Sequence, residues 1–142
     1  MSYSLAFSQA IIVVTYVADK VRQGMHDFVP TKQLSEDLNI SRPSAVKILH
    51  KLTGAGIIET REGAHGGVRL AVEPEKVSLL DIFEAIESGR GMFRKDYRMK
   101  VTGKKPDRAY ASVYYYLDQA EFAMKNELKG VIIAEILNAL YD

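Results

Sequence analysis

Residues 57–71 read IIETREGAHGGVRLA, two short apolar runs flanking a tip that holds three glycines and one of the three histidines of the chain. Ile58 and Thr60 alternate with Glu59 and Arg61 before the tip, and Val68, Leu70 and Val72 alternate with Arg69 after it. Alternation at period two puts successive side chains on opposite faces, so the segment predicts two antiparallel strands joined by a long turn. Gly63, Gly66 and Gly67 offer that turn positive φ angles or room for close approach.

What the hairpin belongs to is decided by the residues before it, PTKQLSEDLNISRPSAVKILHKLTGAG (30–56). Thr31 is placed to cap a short helix carrying Leu34 and Leu38, and Asn39 can take the left-handed conformation of a tight turn. Ser41 then caps a second helix with Pro43 in its first turn, where a missing amide hydrogen costs nothing. Gly54 or Gly56 ends it. Helix, three-residue turn, helix and hairpin make a winged helix-turn-helix.

The second helix carries the functional signal. At 3.6 residues per turn, Ala45, Ile48, Leu49 and Leu52 point one way, while Pro43, Ser44, Lys47, His50 and Lys51 point the other. That outward face is small, polar and basic, with no acid on it. A merely solvated face usually mixes signs, as the preceding helix does with Lys32, Glu36 and Asp37. The pattern suits phosphates and base edges of a nucleic acid.

Elsewhere the chain reads as helix. Ala6, Ala10, Val13, Val17 and Val21 recur along one face of a segment spanning 3–23, with Gly24 as a stop. In residues 78–89, Ser78 and Asp81 have capping-box spacing, Leu79, Ile82, Phe83 and Ile86 form an apolar stripe, and Gly89 closes the helix. Residues 90–108 hold eight Lys/Arg against Asp96 and Asp107, a net +6, whereas 109–142 carry a net −3. Such a basic run suits either a solvated loop or a backbone-hugging nucleic-acid contact.

A long helix is predicted from Pro106 and Asp107, with Val113, Leu117, Ala120, Met124 and Leu128 on one face and Tyr110, Tyr114, Tyr115 and Tyr116 around it. The stretch VIIAEILNALY after Gly130 is nearly all apolar. Aromatic and aliphatic excess on a helical arm suits a partner, so this arm predicts a dimer interface. The expected organisation is mainly α with a small β-hairpin wing: a winged helix-turn-helix DNA-binding domain at 1–89, a basic loop at 90–106, and a helical dimerisation arm at 107–142.

Composition excludes several functions. The 142 residues suffice for one domain with an appendage. With no cysteine there is no disulfide, no thiolate nucleophile and no cysteine-held zinc or iron-sulfur site. The apolar run AIIVVTYVA (10–18) is too short to cross a membrane and runs into Asp19, Lys20 and Arg22, so a cytoplasmic protein with no membrane partner is expected. GAHGGVRL lacks the Lys-Ser/Thr of a phosphate loop and leads into a strand; GxGxxG and GxSxG are absent. His26, His50 and His65 show no metal-ligand spacing. Neither an enzyme nor a bound cofactor or metal is expected.

Residues 34–71 (LSEDLNISRPSAVKILHKLTGAGIIETREGAHGGVRLA) and 77–89 (VSLLDIFEAIESG) resemble the Rrf2 family of bacterial winged-helix regulators. The shared pattern is a recognition helix ending in a leucine and an Ala-Gly pair, a wing with a Gly-Gly pair, and the helix that follows. The resemblance implies a homodimer in which the helix from about 107 to 128 crosses its twin, setting two recognition helices and two wings on one face of double-stranded DNA. Carried over by position, the DNA-binding residues are Ser41, Arg42, Pro43, Ser44 and Lys47, with His50 and Lys51 beside them, and Arg61, His65 and Gly66 in the wing. Tyr3 and Ser4 are further candidates for backbone contact.

This chain departs from the family in its loop before the long helix. Redox- and nitric-oxide-sensing members carry three cysteines there; here the loop reads RGMFRKDYRMKVTGKK. Cluster sensing is thereby excluded. A small-molecule effector, a protein partner and constitutive repression stay open, and a ligand cavity is expected near the basic loop and the tyrosine-rich helix. A winged-helix protein-interaction module with little DNA affinity is the alternative to a DNA-binding repressor acting at an imperfect palindrome.

Overall fold

The computed structural model describes residues 5–87 and 91–141. Helix α1 (Leu5–Arg22) carries the central apolar face, burying Ala10, Val13, Val14, Val17 and Ala18. Its one buried hydroxyl, on Thr15, donates to the Ile11 carbonyl at 2.8 Å, so no polar atom is stranded there. The edge-on packing of Phe7 against Phe83, 5.2 Å between centroids, joins α1 to α4 (Leu79–Glu87).

Helices α2 (Thr31–Leu38) and α3 (Arg42–Gly54) meet at the predicted turn. Asn39 is left-handed at φ 53°, and the Ile40 amide donates to the Ser35 carbonyl at 3.1 Å. Ser41 caps α3 as predicted, its Oγ accepting from the Ser44 amide at 3.3 Å. Thr31 does not cap α2: it is the first helical residue, and Pro30 occupies the cap with no side-chain bond.

Strands β1 (Ile58–Arg61) and β2 (Gly67–Leu70) pair antiparallel, Ile58 opposite Leu70 and Arg61 opposite Gly67. A third backbone joins this sheet. Val29 exchanges both hydrogen bonds with Val68, at 2.7 and 2.9 Å. Sequence reading misses the pairing because a single bridging residue ahead of Pro30 has no periodicity to detect.

The wing glycines work chiefly by allowing close approach. A Cβ on Gly67 would lie 2.2 Å from the Val29 carbonyl oxygen, and one on Gly66 would lie 2.1 Å from that of Arg61. Both glycines serve the scaffold.

After a 3-10 turn (Pro74–Lys76), α4 opens with a reciprocal capping box: Ser78 N donates to Asp81 Oδ2 at 2.9 Å and Asp81 N to Ser78 Oγ at 3.1 Å. Gly89, expected to end this helix, lies outside the described residues, as do Tyr3 and Ser4.

The long helix α5 runs from Lys104 to Lys129, starting inside the segment expected to be loop, and it buries no residue. Leu117, Met124 and Leu128 are half-buried, but Val113 and Ala120, expected on the same face, are exposed at its edge. The basic loop before α5 lies along it. Lys95 pairs with Asp118 and sits over the Tyr114 ring, while the Tyr114 hydroxyl donates to the Lys95 carbonyl at 3.1 Å. The Met99 amide donates to the Tyr110 hydroxyl and the Met92 amide to Glu121. Within the loop, the hydrogen bond from Arg94 holds the Asp96 carboxyl below the usual carboxylate range.

Helix α6 (Ile133–Ala139) departs from the expected arm. Leu79 N donates to the Val131 carbonyl at 2.9 Å and Ile133 N to the Val77 carbonyl at 2.8 Å, which turns the chain back onto the amino-terminal half. Ile133 joins the same buried cluster as Val13 and Ile82. Tyr141 fastens the end: its hydroxyl donates to Asp19, and the Arg22 guanidinium lies 5.0 Å from its ring centre. The apolar C-terminal stretch therefore completes a core instead of extending the arm. Among the described residues no helix is long and apolar enough to cross a membrane.

Candidate nucleic-acid interface

Helix α3 sorts its side chains as its sequence dictates. Ala45, Ile48, Leu49 and Leu52 are buried, and Ser41, Arg42, Pro43, Ser44, Lys47 and His50 are exposed. The inward four anchor the helix, and the outward residues are free to meet a partner. Ser41 spends its hydroxyl locally, donating to Ser44 Oγ at 2.9 Å while it caps. No ion pair engages Arg42 or Lys47 among the described residues.

Lys51 is placed differently. Its Nζ donates to the Ile86 carbonyl at 3.1 Å, at the C-terminal end of α4, where a cation is favoured by the helix dipole. It ties α3 to α4 and brings its charge to the end of α4. Sequence reasoning overlooked Val46, 52% exposed on α3. The signal was available, since Val46 falls outside the stripe that Ala45, Ile48, Leu49 and Leu52 define.

In the wing, Arg61 and His65 are exposed and Gly66 is half-buried. Arg61 Nη2 donates to the His65 carbonyl at 2.9 Å, closing the tip across Gly63, whose φ is +100°. The Arg61 guanidinium also lies 4.2 Å from the centre of the Phe28 ring, and that of Arg69 lies 4.4 Å from it. Arg69 is neutralised by Glu59 on the opposing strand. Phe28 thus anchors two wing arginines, and sequence reading had no cue to it: the residue lies in a loop 33 positions before Arg61 and 41 before Arg69.

A helix capped for entry, a basic exposed face and a braced hairpin are the parts of a DNA reader. Comparison with known proteins gives the lineage. The family model described as Rrf2, iron-dependent transcriptional regulator, matches residues 3–139. The chain belongs to the Rrf2 family. This Rrf2 protein is similar to the transcriptional regulator IscR of Cereibacter sphaeroides, with 25% identity over 91% of this chain and 90% of that protein. Among solved structures, IscR of T. potens superimposes with a TM-score of 0.70 at 20% identity, covering 99% of this chain and 88% of that one. CymR, the global cysteine regulator of B. subtilis, gives 0.70 at 17% identity, covering 98% of both chains. At these identities the structural likeness establishes the winged-helix fold. The family assignment makes the chain a helix-turn-helix DNA-binding transcriptional regulator.

The iron of the family description does not fit this Rrf2 chain. Cysteine is absent from the sequence, and the loop before α5 offers Arg94, Lys95, Arg98 and Lys100 in a stretch tied to α5 by its own backbone and side chains. Among the described residues no three His, Cys, Asp or Glu side chains gather closely enough to hold a metal ion.

Proposed function

We propose that this protein is a homodimeric repressor that binds an imperfect palindrome in double-stranded DNA. The supporting observation is the outward face of α3, where Arg42, Ser44, Lys47 and His50 are all exposed on a helix whose start is fixed by Ser41 and Pro43. Residues near the helix start read base edges, and Lys47 reaches a base or a phosphate. Val46 offers an apolar contact for a thymine methyl group. In the wing, His65 and the outer edge of Arg61 approach a flanking phosphate or minor groove, with Gly66 setting the turn.

Dimerisation falls to α5, a helix of 26 residues with none buried. Ala109, Val113, Tyr116, Ala120 and Ala123 are all exposed and recur at steps of four, three, four and three. Among the described residues nothing covers this stripe, and pairing it with its twin sets two α3 helices about 34 Å apart, one turn of DNA.

Selection of fragments of the source genome on the purified protein tests the reading. Enrichment of a two-fold symmetric sequence, with binding that weakens steeply with salt, is expected. Retention of protein partners with no enriched palindrome would overturn it in favour of an interaction module.

A further inference from the structure

We infer that the cavity between the base of the wing and α6 binds a small effector with an apolar body and a single anionic group, held by Arg22 and Asn138. The cavity measures about 710 Å³, within the range of metabolite sites. It is not the cavity expected from sequence: the basic loop packs on Tyr110 and Tyr114 of α5, and the hollow beside it, bordered by Met99, Val101 and Ala109, is wide open.

The lining dictates the ligand. Its floor is aliphatic, from Val21 on α1, Leu70 at the end of β2, and Ala134 and Leu137 on α6. Val72 borders it too and is 39% exposed, a large apolar side chain with its surface left to solvent. Such a floor takes a hydrocarbon body of several carbons. Besides Arg69 on the β2 wall, whose charge is paired with Glu59, the polar groups sit at two ends. Where α1 meets α6, the Arg22 Nη1 donates to Asn138 Oδ1 at 3.2 Å, and the same guanidinium lies on the Tyr141 ring. No carboxylate pairs with Arg22 among the described residues, so its remaining donors are available in a pre-set orientation. At the other end the 3-10 turn brings Glu73 and Glu75 beside Lys76, which repels an anion. The anionic group therefore belongs at the α1–α6 end.

The position explains how occupancy would be felt. One wall is β2, whose Arg69 shares the Phe28 ring with Arg61; another is α6, which follows α5 after a three-residue connection. A ligand bridging them touches both the wing and the segment leading from the proposed dimer helix. This regulatory half rests on the DNA-binding reading; the binding half does not.

Octanoate, octanol and octylamine share one hydrocarbon body and differ in head group, so together they probe the site. Saturation-transfer NMR and thermal shift are measured on the full chain without DNA, for wild type, Arg22→Gln and Lys76→Gln, each checked for helical content. Saturable octanoate binding is expected, at least about tenfold tighter than octanol or octylamine, weakened about tenfold by Arg22→Gln and far less by Lys76→Gln. Ala134→Phe, which fills the floor, should abolish it. Absence of saturable octanoate binding, equal binding of octanol, or a greater loss at Lys76 than at Arg22 each overturns the site. Repeating the titration on the DNA complex tests regulation separately: saturable binding that leaves DNA affinity unchanged removes only the coupling.

Discussion

The Arg61 guanidinium lies over the Phe28 ring, 4.2 Å from its centre, with the Nη2 of the same arginine donating to the His65 carbonyl. A side chain engaged on both sides is a brace before it is a contact. Arg61→Lys keeps the charge and loses the planar fork. DNA affinity is expected to fall about fivefold with the dependence of log K on log salt unchanged. Titrations by fluorescence anisotropy at several salt concentrations check this; full affinity in the lysine variant would remove the bracing role.

The two lysines of α3 should separate cleanly. Lys47 is exposed and makes no ion pair among the described residues, so Lys47→Ala should weaken DNA binding about tenfold and lower the salt slope by about one. Lys51→Ala loses the bond to Ile86 and should instead cost about 1 kcal/mol of stability with the salt slope kept. Urea unfolding alongside binding isotherms distinguishes them, and the reverse pattern would exchange their roles.

Gly67 and Gly63 both have positive φ, at +146° and +100°, but differ in what surrounds them. Gly63 has open space where a Cβ would go, so Gly63→Ala should cost about 1 kcal/mol in backbone strain alone. Gly67→Ala drives a methyl into the Val29 carbonyl and should cost about 3 kcal/mol or more, with loss of the Val29–Val68 bridge. Chemical denaturation of the two variants supplies the comparison.

These glycines mark how far sequence reading could go. Period-two alternation locates β1 and β2, and the Ser41, Pro43 and Asn39 signals locate the helix-turn-helix, because each is a local rule satisfied within a few residues. The reason Gly66 and Gly67 must be glycine is non-local: it depends on where the Arg61 and Val29 carbonyls arrive in the fold. The same holds for Phe28 beneath two arginines and for Lys51 turning toward Ile86. Helix α6 was legible as apolar but not as part of the core, since only the pairing of 131–133 with 77–79 determines which way it folds.

Tyr16 links α1 to α2 by donating to Asp37 Oδ2 at 2.6 Å. Burial first, then the Asp37 carboxylate, raises its phenol well above the ordinary range. The folded state thus holds this proton more tightly than the unfolded one, whose tyrosines titrate near pH ~10. The stabilisation is fully present below that pH and is lost as pH rises through the window above it. Tyr16→Phe should cost about 1 kcal/mol at neutral pH and flatten the decline between about pH 9.5 and 11. Parallel declines in urea midpoint for wild type and variant would discard this tyrosine as the source.

The exposed stripe on α5 makes the last prediction. At a two-fold crossing residue i of one copy meets residue j of its twin and j meets i, so one acid placed in the stripe of Ala109, Val113, Tyr116, Ala120 and Ala123 is forced into the apolar contact twice. Val113→Glu or Ala120→Glu should therefore turn a dimer into a monomer in sedimentation velocity at about 10 μM protein. Folding should survive, because α5 buries nothing and the core gathers α1, α3, α4 and α6. Separating the half-site readers removes the linkage between two binding events, so operator affinity should drop by about a hundredfold or more, with helical content retained. A dimer that persists in both variants would mean that this face of α5 is not the interface.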